Sequence, residues 1–354
     1  MRRCLILLLA AASAYAVSFV LQESVLGGDG YWNANSSLRL TGRTLCGPVK
    51  LEAAWELTAS AGDPPLTEVA RTPFRLIDMD PVLMPGEIDP DTRLTLLHDL
   101  DRFYAQGNLG RLRITAGRQA VYWGVSKTVS PTDLIAPFAY GTVDDRFRTG
   151  VDALRLTYAA GPLSEAEAGA LFGENADTVS LWSRGRFYLA RTDVTCVLAR
   201  FRGTTMAGGS LSRALGGSAV WAESAVLRRE DADTWWSLST GMERSFLEGL
   251  IYGFAEYHHN SRGTDETSET GITSLQGSDY AASGLTLKIT PLLTVTAGAL
   301  VNGGDGSARL DASSEYSVSA NGALEAGMTM GTGHPWEEFQ GPGLSVYGLY
   351  SLYF

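Results

Sequence analysis

The side chains able to do chemistry in this chain are charged residues spaced by twos. Arg111 and Arg113 alternate with Leu112 and Ile114, and Arg155 sits between Leu154 and Leu156. Glu165 and Glu167 alternate with Ala166 and Ala168, while Glu52 and Glu56 face away from Leu51, Ala53, Trp55 and Leu57. Glu223, Glu256 and Lys288 fall in runs of the same kind. A period of two puts the charges on one face of a strand and the apolar residues on the other. Such charges either brace a wall as ion pairs or form rings that filter ions in a pore. A tight turn at 160–162 would bring Arg155 beside Glu167, which fits the bracing role. Arg118 shares the parity of Leu112, Ile114 and Ala116, so an unbroken strand would aim it at the apolar side. A bulge at Gly117 would turn it inward. The loop 124–149 carries Asp144 and Asp145, and folded inward it would set these acids across an opening from Arg113 and Arg118. The set expected to line a pore or its constriction is therefore Arg111, Arg113, Arg118, Asp144, Asp145, Arg155, Glu165, Glu167, Glu223 and Glu256. The competing reading of the loop is an exposed cap on the rim.

Other chemistries find less support. The His258-His259 doublet near Glu256 has adjacent imidazoles, which a strand points to opposite faces, so a metal site is disfavoured. His98 with Asp99 and Asp101 is the best hydrolase candidate, but no G-x-S-x-G nucleophile motif accompanies it. Gly303 to Ser307 resembles a calcium loop in composition only, lacking the alternating acids and closing Glu. No catalytic residue, metal or cofactor is expected.

The elements that would position the charges are strands. The runs 97–106, 111–123, 150–159 and 163–172 alternate, and so does most of the chain from 180 to 354. Tight connections (107–110, 160–162, 213–217, 243–246, 290–291, 320–322) are interleaved with long ones (124–149, 259–279, 303–312). Short turns at one rim and long loops at the other are the habit of membrane barrels. A soluble sandwich would instead bury the apolar face in a core. A further excursion, 59–91, contains Phe74 to Asp78 as a possible strand extension. The expectation is an all-β, transmembrane, antiparallel up-and-down barrel of about 18 strands, or 16 if the first two lie outside the wall.

The 354 residues carry a net charge of −11, against the basic stripe that nucleic acid requires. Met1-Arg2-Arg3, an apolar run through Ala12 and an Ala14-Tyr15-Ala16 cleavage site read as a signal peptide, residues 1–16. The barrel would then occupy 17–354. Cys46 and Cys196 remain, and both are expected near turns as unbridged thiols, buried or lumen-facing. No run of roughly 20 apolar residues follows, so a closed barrel is the way left to span a bilayer. At the far end Leu344, Val346, Gly348, Tyr350, Leu352 and Phe354 share one face. This terminal strand resembles the signature by which bacterial outer-membrane barrels are handed to their assembly machinery. Outer-membrane lipid and that machinery, reached through Phe354, are the expected partners.

Gly117-Arg118-Gln119 with Trp123-Gly124, then Pro131-Thr132-Asp133, then Asp152-Ala153-Leu154-Arg155-Leu156, resemble a porin-like family of outer-membrane barrels. Their shared pattern is G-R-Q-x-x-x-W-G, N-P-x-D and D-A-L-R-L, and alginate-export barrels carry a looser version. Glu256 to Asn260 and Asn302 to Ser307 fall where such barrels have E-Y-x-x-N and N-x-x-D-G-S. Ser130 stands where the family has Asn. The resemblance implies a bacterial outer-membrane location and passive diffusion of small polar solutes. A dedicated exporter or conduit, its lumen filled by polysaccharide or a partner protein, is the alternative. A hydrolase at the rim is a third reading.

Overall fold

The computed structural model describes residues 17–28, 31–63, 72–76, 82–84, 94–133, 135, 148–173, 175, 179–230, 234–263, 275–335, 337–340 and 343–353. Its strands in chain order are β1 (Val17–Gly28), β2 (Tyr31–Cys46), β3 (Val49–Asp63), β4 (Val82–Met84), β5 (Leu94–Leu109), β6 (Leu112–Gln119), β7 (Val151–Gly161), β8 (Ser164–Leu171), β9 (Ser180–Leu189) and β10 (Thr192–Phe201). They continue with β11 (Thr204–Leu215), β12 (Ser218–Arg229), β13 (Thr234–Phe246), β14 (Ile251–Asn260), β15 (Asp279–Lys288), β16 (Leu293–Asn302), β17 (Ala308–Ser319), β18 (Gly322–Gly331) and β19 (Leu344–Tyr353). Each wall strand pairs antiparallel with its sequence neighbour, β3 pairing with β5 across the excursion. β1 pairs with both β2 and β19, so the sheet closes on itself. β4 lies along part of β5 and stands apart from the remaining 18 strands of the ring. Because β1 and β2 are both in the wall, the 16-strand alternative is set aside.

Alternation decides which face is which. Along β10, Thr195, Val197, Ala199 and Phe201 are buried while Leu198 is 60% exposed. Along β12, Trp221, Glu223, Ala225 and Leu227 are buried and Val226 is exposed. The exposed rows elsewhere include Phe103, Leu154, Leu156, Leu181, Met242 and Val346. A wall that turns large apolar side chains outward and Glu167, Glu223, Ser239 and Glu256 inward is built for an apolar solvent outside. Among the described residues no helix is long and apolar enough to cross a membrane.

The two rims differ. One carries the connections 47–48, 110–111, 162–163, 190–191, 216–217, 247–250, 289–292 and 320–321; the other carries 64–93, 120–150, 172–179, 261–278 and 332–343 among its links. Several inner-face glycines have a structural reason. Trp221 is the register partner of Gly241 and Trp182 that of Gly169, and each indole lies over the bare glycine. A Cβ at Gly241 would sit 2.4 Å from Trp221 Cζ2, and one at Gly169 would sit 2.2 Å from Trp182 Cζ2. Tyr347 covers Gly327 and Phe254 covers Gly284 in the same way. An aromatic ring that lies down along the wall fills the glycine gap and leaves the lumen open.

Three expectations need correcting. β6 ends at Gln119 rather than continuing to Trp123, because Val121 and Trp123 leave the wall and bury themselves inside with Trp182, Val197 and Met206. Phe74 to Leu76 form no strand; Phe74 is buried in that same cluster, and Asp78 lies outside the described residues. Both cysteines are free and exposed rather than buried or lumen-facing. Cys196 lies mid-strand, opposite Gly185 and Gly209, and shares the parity of outward Leu198.

That placement is testable by labelling in membranes. Cys196 is expected to react with a lipid-soluble maleimide and resist a charged one, whereas Cys46, at the end of β2, reacts with the charged reagent. Equal labelling of both by the charged reagent would contradict an outward, mid-wall Cys196.

Candidate functional site

The site is the barrel interior, and its organising piece is the segment 120–133, which passes from the end of β6 into the lumen. Two wall carboxylates hold it there. Glu223 on β12 accepts hydrogen bonds from the backbone N–H groups of Val125 (2.8 Å), Ser126 (3.0 Å) and Thr132 (3.0 Å). It also accepts from the hydroxyls of Ser126 (2.9 Å), Ser130 (2.5 Å) and Thr132 (2.7 Å). Glu256 on β14 accepts from the backbone N–H groups of Lys127 (2.7 Å), Thr128 (2.9 Å) and Val129 (3.3 Å), and from Trp221 Nε1 (3.0 Å). Neither carboxylate has an ion-pair partner within reach among the described residues; oriented N–H and O–H dipoles do the work of a counter-charge. Hydrogen bonds to a charged group are each worth roughly 1.5–3 kcal/mol, and a loop that has left the sheet needs partners for its buried amides.

The remaining contacts of the segment follow from this clamp. Ser239 on β13 donates to the carbonyl of Val129 (2.6 Å), and its Oγ lies 2.8 Å from His258 Nδ1. Gly124 has no room for a side chain, since a Cβ would stand 1.9 Å from Ser130 Oγ. Val129 packs with Leu275, Tyr280 and Leu300, with Phe339 against them. Glu338, beside Phe339, accepts from Tyr280 Oη (2.5 Å), Asn302 Nδ2 (2.9 Å) and the N–H of Gln276 (2.8 Å). The long-loop rim is thus tied onto the top of the internal segment.

The motif residues cluster where the segment departs. Arg118 is buried and makes a two-pronged contact with Asp152 (Nε–Oδ1 2.9 Å, Nη2–Oδ2 3.1 Å) and a third bond to the carbonyl of Leu100 (3.0 Å). The register through Gly117 is continuous with both β5 and β7, so no bulge interrupts it there. Instead Gly117 takes a φ of +114°, with its Cβ direction blocked 2.3 Å away by the carbonyl of Phe103. A register irregularity lies in β5, whose pairing with β3 skips Asp101. Gln119 donates to the carbonyls of Ala153 (3.1 Å) and Gly117 (3.2 Å). Asp101, the skipped residue, accepts from Arg39, Arg102 and the N–H of Gly150.

The other expected site residues divide. Arg155 bonds Glu167 at 2.7 Å, and Arg184 reaches both Glu165 and Glu167, whose side chain is buried and also takes Trp182 Nε1 at 3.0 Å. Arg113 is exposed toward a polar recess of about 220 Å³ lined with Glu52, Arg102, Tyr104, Gln106 and Arg155. Arg111 is in the turn between β5 and β6 at the short-turn rim, away from the internal segment. Asp144 and Asp145 lie outside the described residues, so their expected approach to Arg113 and Arg118 does too. Arg118 itself is locked into Asp152 and lines no opening.

The hydrolase grouping does not come together. His98 pairs with Trp55 (Nε1–Nδ1 3.5 Å), whereas Asp99 is bound to Arg75 and Asp101 to Arg39 and Arg102. His258 turns inward to Ser239, while His259 meets Asp279 (2.8 Å) and lies tilted against Trp236, ring centres 4.6 Å apart. No group of three metal-ligating side chains forms among the described residues. Asp305 organises the Gly-rich turn by accepting from the N–H and hydroxyl of Ser307 (2.8 and 2.7 Å) and from the N–H of Glu338 (3.0 Å).

Sequence reasoning missed Lys127, Trp221, Glu243 and Tyr252. Lys127 Nζ lies 2.6 Å from Glu243, and Tyr252 Oη donates to the same carboxylate at 2.5 Å. Burial alone would lower the pKa of Lys127; its bonds to Glu243 and Tyr252 outweigh that and hold it above the usual lysine value. The inward parity of Trp221, Glu243 and Tyr252 was available from alternation, but the partner that gathers them comes from the loop.

The geometry defines a class: a closed 18-strand barrel with a loop fixed inside its lumen. No protein-family model matches the chain, and no curated protein matches it. Solved structures do. Pseudomonas aeruginosa OprD aligns with a TM-score of 0.59 at 10% identity, covering 96% of this chain and 94% of that one. The outer membrane protein OpdK from Pseudomonas aeruginosa aligns at 0.59 and 10% identity, covering 96% and 98%. Acinetobacter baumannii OccAB2 aligns at 0.58 and 11%, covering 96% and 97%. At these identities the likeness is one of fold.

The clamp makes a direct prediction. Glu223→Ala should release the internal segment in an otherwise assembled barrel and make 120–133 sensitive to protease, with Glu223→Gln intermediate because the amide keeps one acceptor oxygen. Equal protease resistance in all three proteins would contradict the clamp.

Proposed function

We propose that this chain is a porin-like channel of the bacterial outer membrane that passes small polar solutes by passive diffusion. The observation that carries the reading is the internal segment held by Glu223 and Glu256 against β12–β14, which narrows the lumen on one side. Eighteen strands enclose a bore wide enough for water. Most charges lining the rest of the bore are paired on the wall: Arg155 and Arg184 with Glu165 and Glu167, Arg102 with Asp101, and Arg309 with Asp311. Arg113 on β6 and Glu315 on β17 stand outside these pairs, and in the ring their strands are separated by β7–β16 on one side and by β18, β19, β1, β2, β3 and β5 on the other. Wall charges of opposite sign held apart in this way orient polar solutes without holding them tightly.

The fold shared with OprD, OpdK and OccAB2 supports the reading, as does the structural work done by the motif residues Arg118, Gln119, Asp152 and Glu256. Those same motif residues underlie our assignment of the chain to the G-R-Q-x-x-x-W-G barrels, with alginate-export barrels as more distant kin. One crystal structure of Pseudomonas aeruginosa OpdK is with vanillate, and that solute is OpdK's own. On this reading the protein carries no catalytic centre. Outward apolar rows and the terminal strand β19 would meet outer-membrane lipid and the assembly machinery, the latter through Phe354, which lies outside the described residues, with the long-loop rim toward the cell exterior.

Planar-bilayer recording tests it. The purified barrel should pass a steady current, and Arg113→Glu should shift the reversal potential in a salt gradient toward cation preference. A folded barrel that stays silent would overturn the channel reading, and an unmoved reversal potential would remove Arg113 from the passage.

A further inference from the structure

The internal segment carries one cation, Lys127, which reaches back to the wall, and its surroundings there form a box. Lys127 Nζ lies 2.6 Å from Glu243 Oε2, 5.8 Å from the centre of the Trp221 ring and 5.7 Å from that of Tyr252. Tyr252 Oη fixes the same carboxylate at 2.5 Å, and Trp221 is fixed in turn by Glu256 and by lying over Gly241. The carboxylate and both rings belong to the wall (β12, β13 and β14), so they stay in place whichever way the lysine side chain turns. The backbone of Lys127 is held separately, its N–H on Glu256 at 2.7 Å. Lys127 and Glu243 keep 37% and 27% of their side-chain surface exposed, so the box opens on the lumen.

A carboxylate flanked by two aromatic faces is the chemistry that recognises an ammonium group, by charge on one side and ring quadrupole on the other. The geometry points to a solute subsite for ammonium-bearing molecules, occupied at rest by the tethered ammonium of Lys127. This deepens the channel reading and rests on it for the route by which solute arrives. A passing organic cation would exchange with the lysine, whose side chain can swing into the bore without disturbing the six backbone bonds that hold the segment to Glu223 and Glu256. A small inorganic cation gains less from ring faces because it keeps its water shell, so the box separates organic ammonium ions from sodium.

The test uses choline as probe, with sodium at equal concentration as control. Calorimetry on the detergent-solubilised full-length barrel measures binding independently of current. Lys127→Gln and Lys127→Met each vacate the box while keeping the main-chain N–H, and either suffices once assembly is confirmed by heat-modifiable migration. Choline should bind the vacated barrel at least about ten-fold more tightly than the unsubstituted one. Adding Glu243→Gln should cancel that gain. In bilayers the same substitutions should make the current sensitive to block by choline. Choline binding no tighter in the vacated barrels, or unaffected by Glu243→Gln, would overturn the subsite. Binding with the predicted pattern in a barrel that carries no current would uphold the subsite and overturn the channel reading instead.

Discussion

The structure depends on how buried carboxylates are neutralised without cations. Glu223 and Glu256 sit on the inner wall with almost no exposure, and what faces them is six amide N–H groups from one stretch of fourteen residues, 120–133, joined by three hydroxyls of that stretch and the Trp221 indole. A charge moved out of water is costly unless fully hydrogen-bonded, and a chain segment that leaves a sheet has amides in want of acceptors. Each side supplies what the other lacks. Unlike an ion pair between flexible side chains, this arrangement fixes the course of the main chain itself. The loop therefore becomes part of the wall's inner surface, and what remains open is set by the side chains the loop presents.

The same economy recurs around the ring. Trp182 lies over Gly169 and donates to Glu167; Trp221 lies over Gly241 and donates to Glu256; Tyr347 lies over Gly327 and donates to Glu325 at 2.8 Å. In each case a strand glycine makes room, an aromatic ring covers it, and the polar tip of the ring steadies a carboxylate. The carboxylates then serve different ends. Glu167 braces Arg155 and Arg184, Glu256 holds the loop, and Glu325 faces the bore from β18. Lys127 inserts itself beside one of these units, which is why an ammonium finds two rings and a carboxylate already in position.

How much of this was legible in the sequence follows from the range of each signal. Alternation is local, so the strands, the inward set including Glu223 and Glu256, and the pairing of Arg155 with Glu167 across a short turn could all be read directly. The partners of Glu223 could not. Three are main-chain amides, which have no residue type to announce them, and three are hydroxyls of Ser126, Ser130 and Thr132, all more than ninety positions away in the chain with nothing local to link them to Glu223. The end of β6 was hidden for a related reason. Val121 and Trp123 keep the strand period because they too bury one face, but against the interior cluster rather than across a neighbouring strand. Arg118 was read correctly as out of place on its parity; the backbone feature beside it, a φ of +114° at Gly117 with no break in register, is one that alternation does not specify.

The central claim is that the internal segment is held by hydrogen bonds from its own backbone to wall carboxylates, and amide hydrogen exchange measures those bonds one by one. On this account the N–H groups of Val125, Ser126, Lys127, Thr128, Val129 and Thr132 exchange as slowly as those of β12 and β14 in the detergent-solubilised barrel, because each opens only when a buried carboxylate is exposed. Exchange of these six at the rate of a solvated surface loop, with the wall strands still protected, would contradict it.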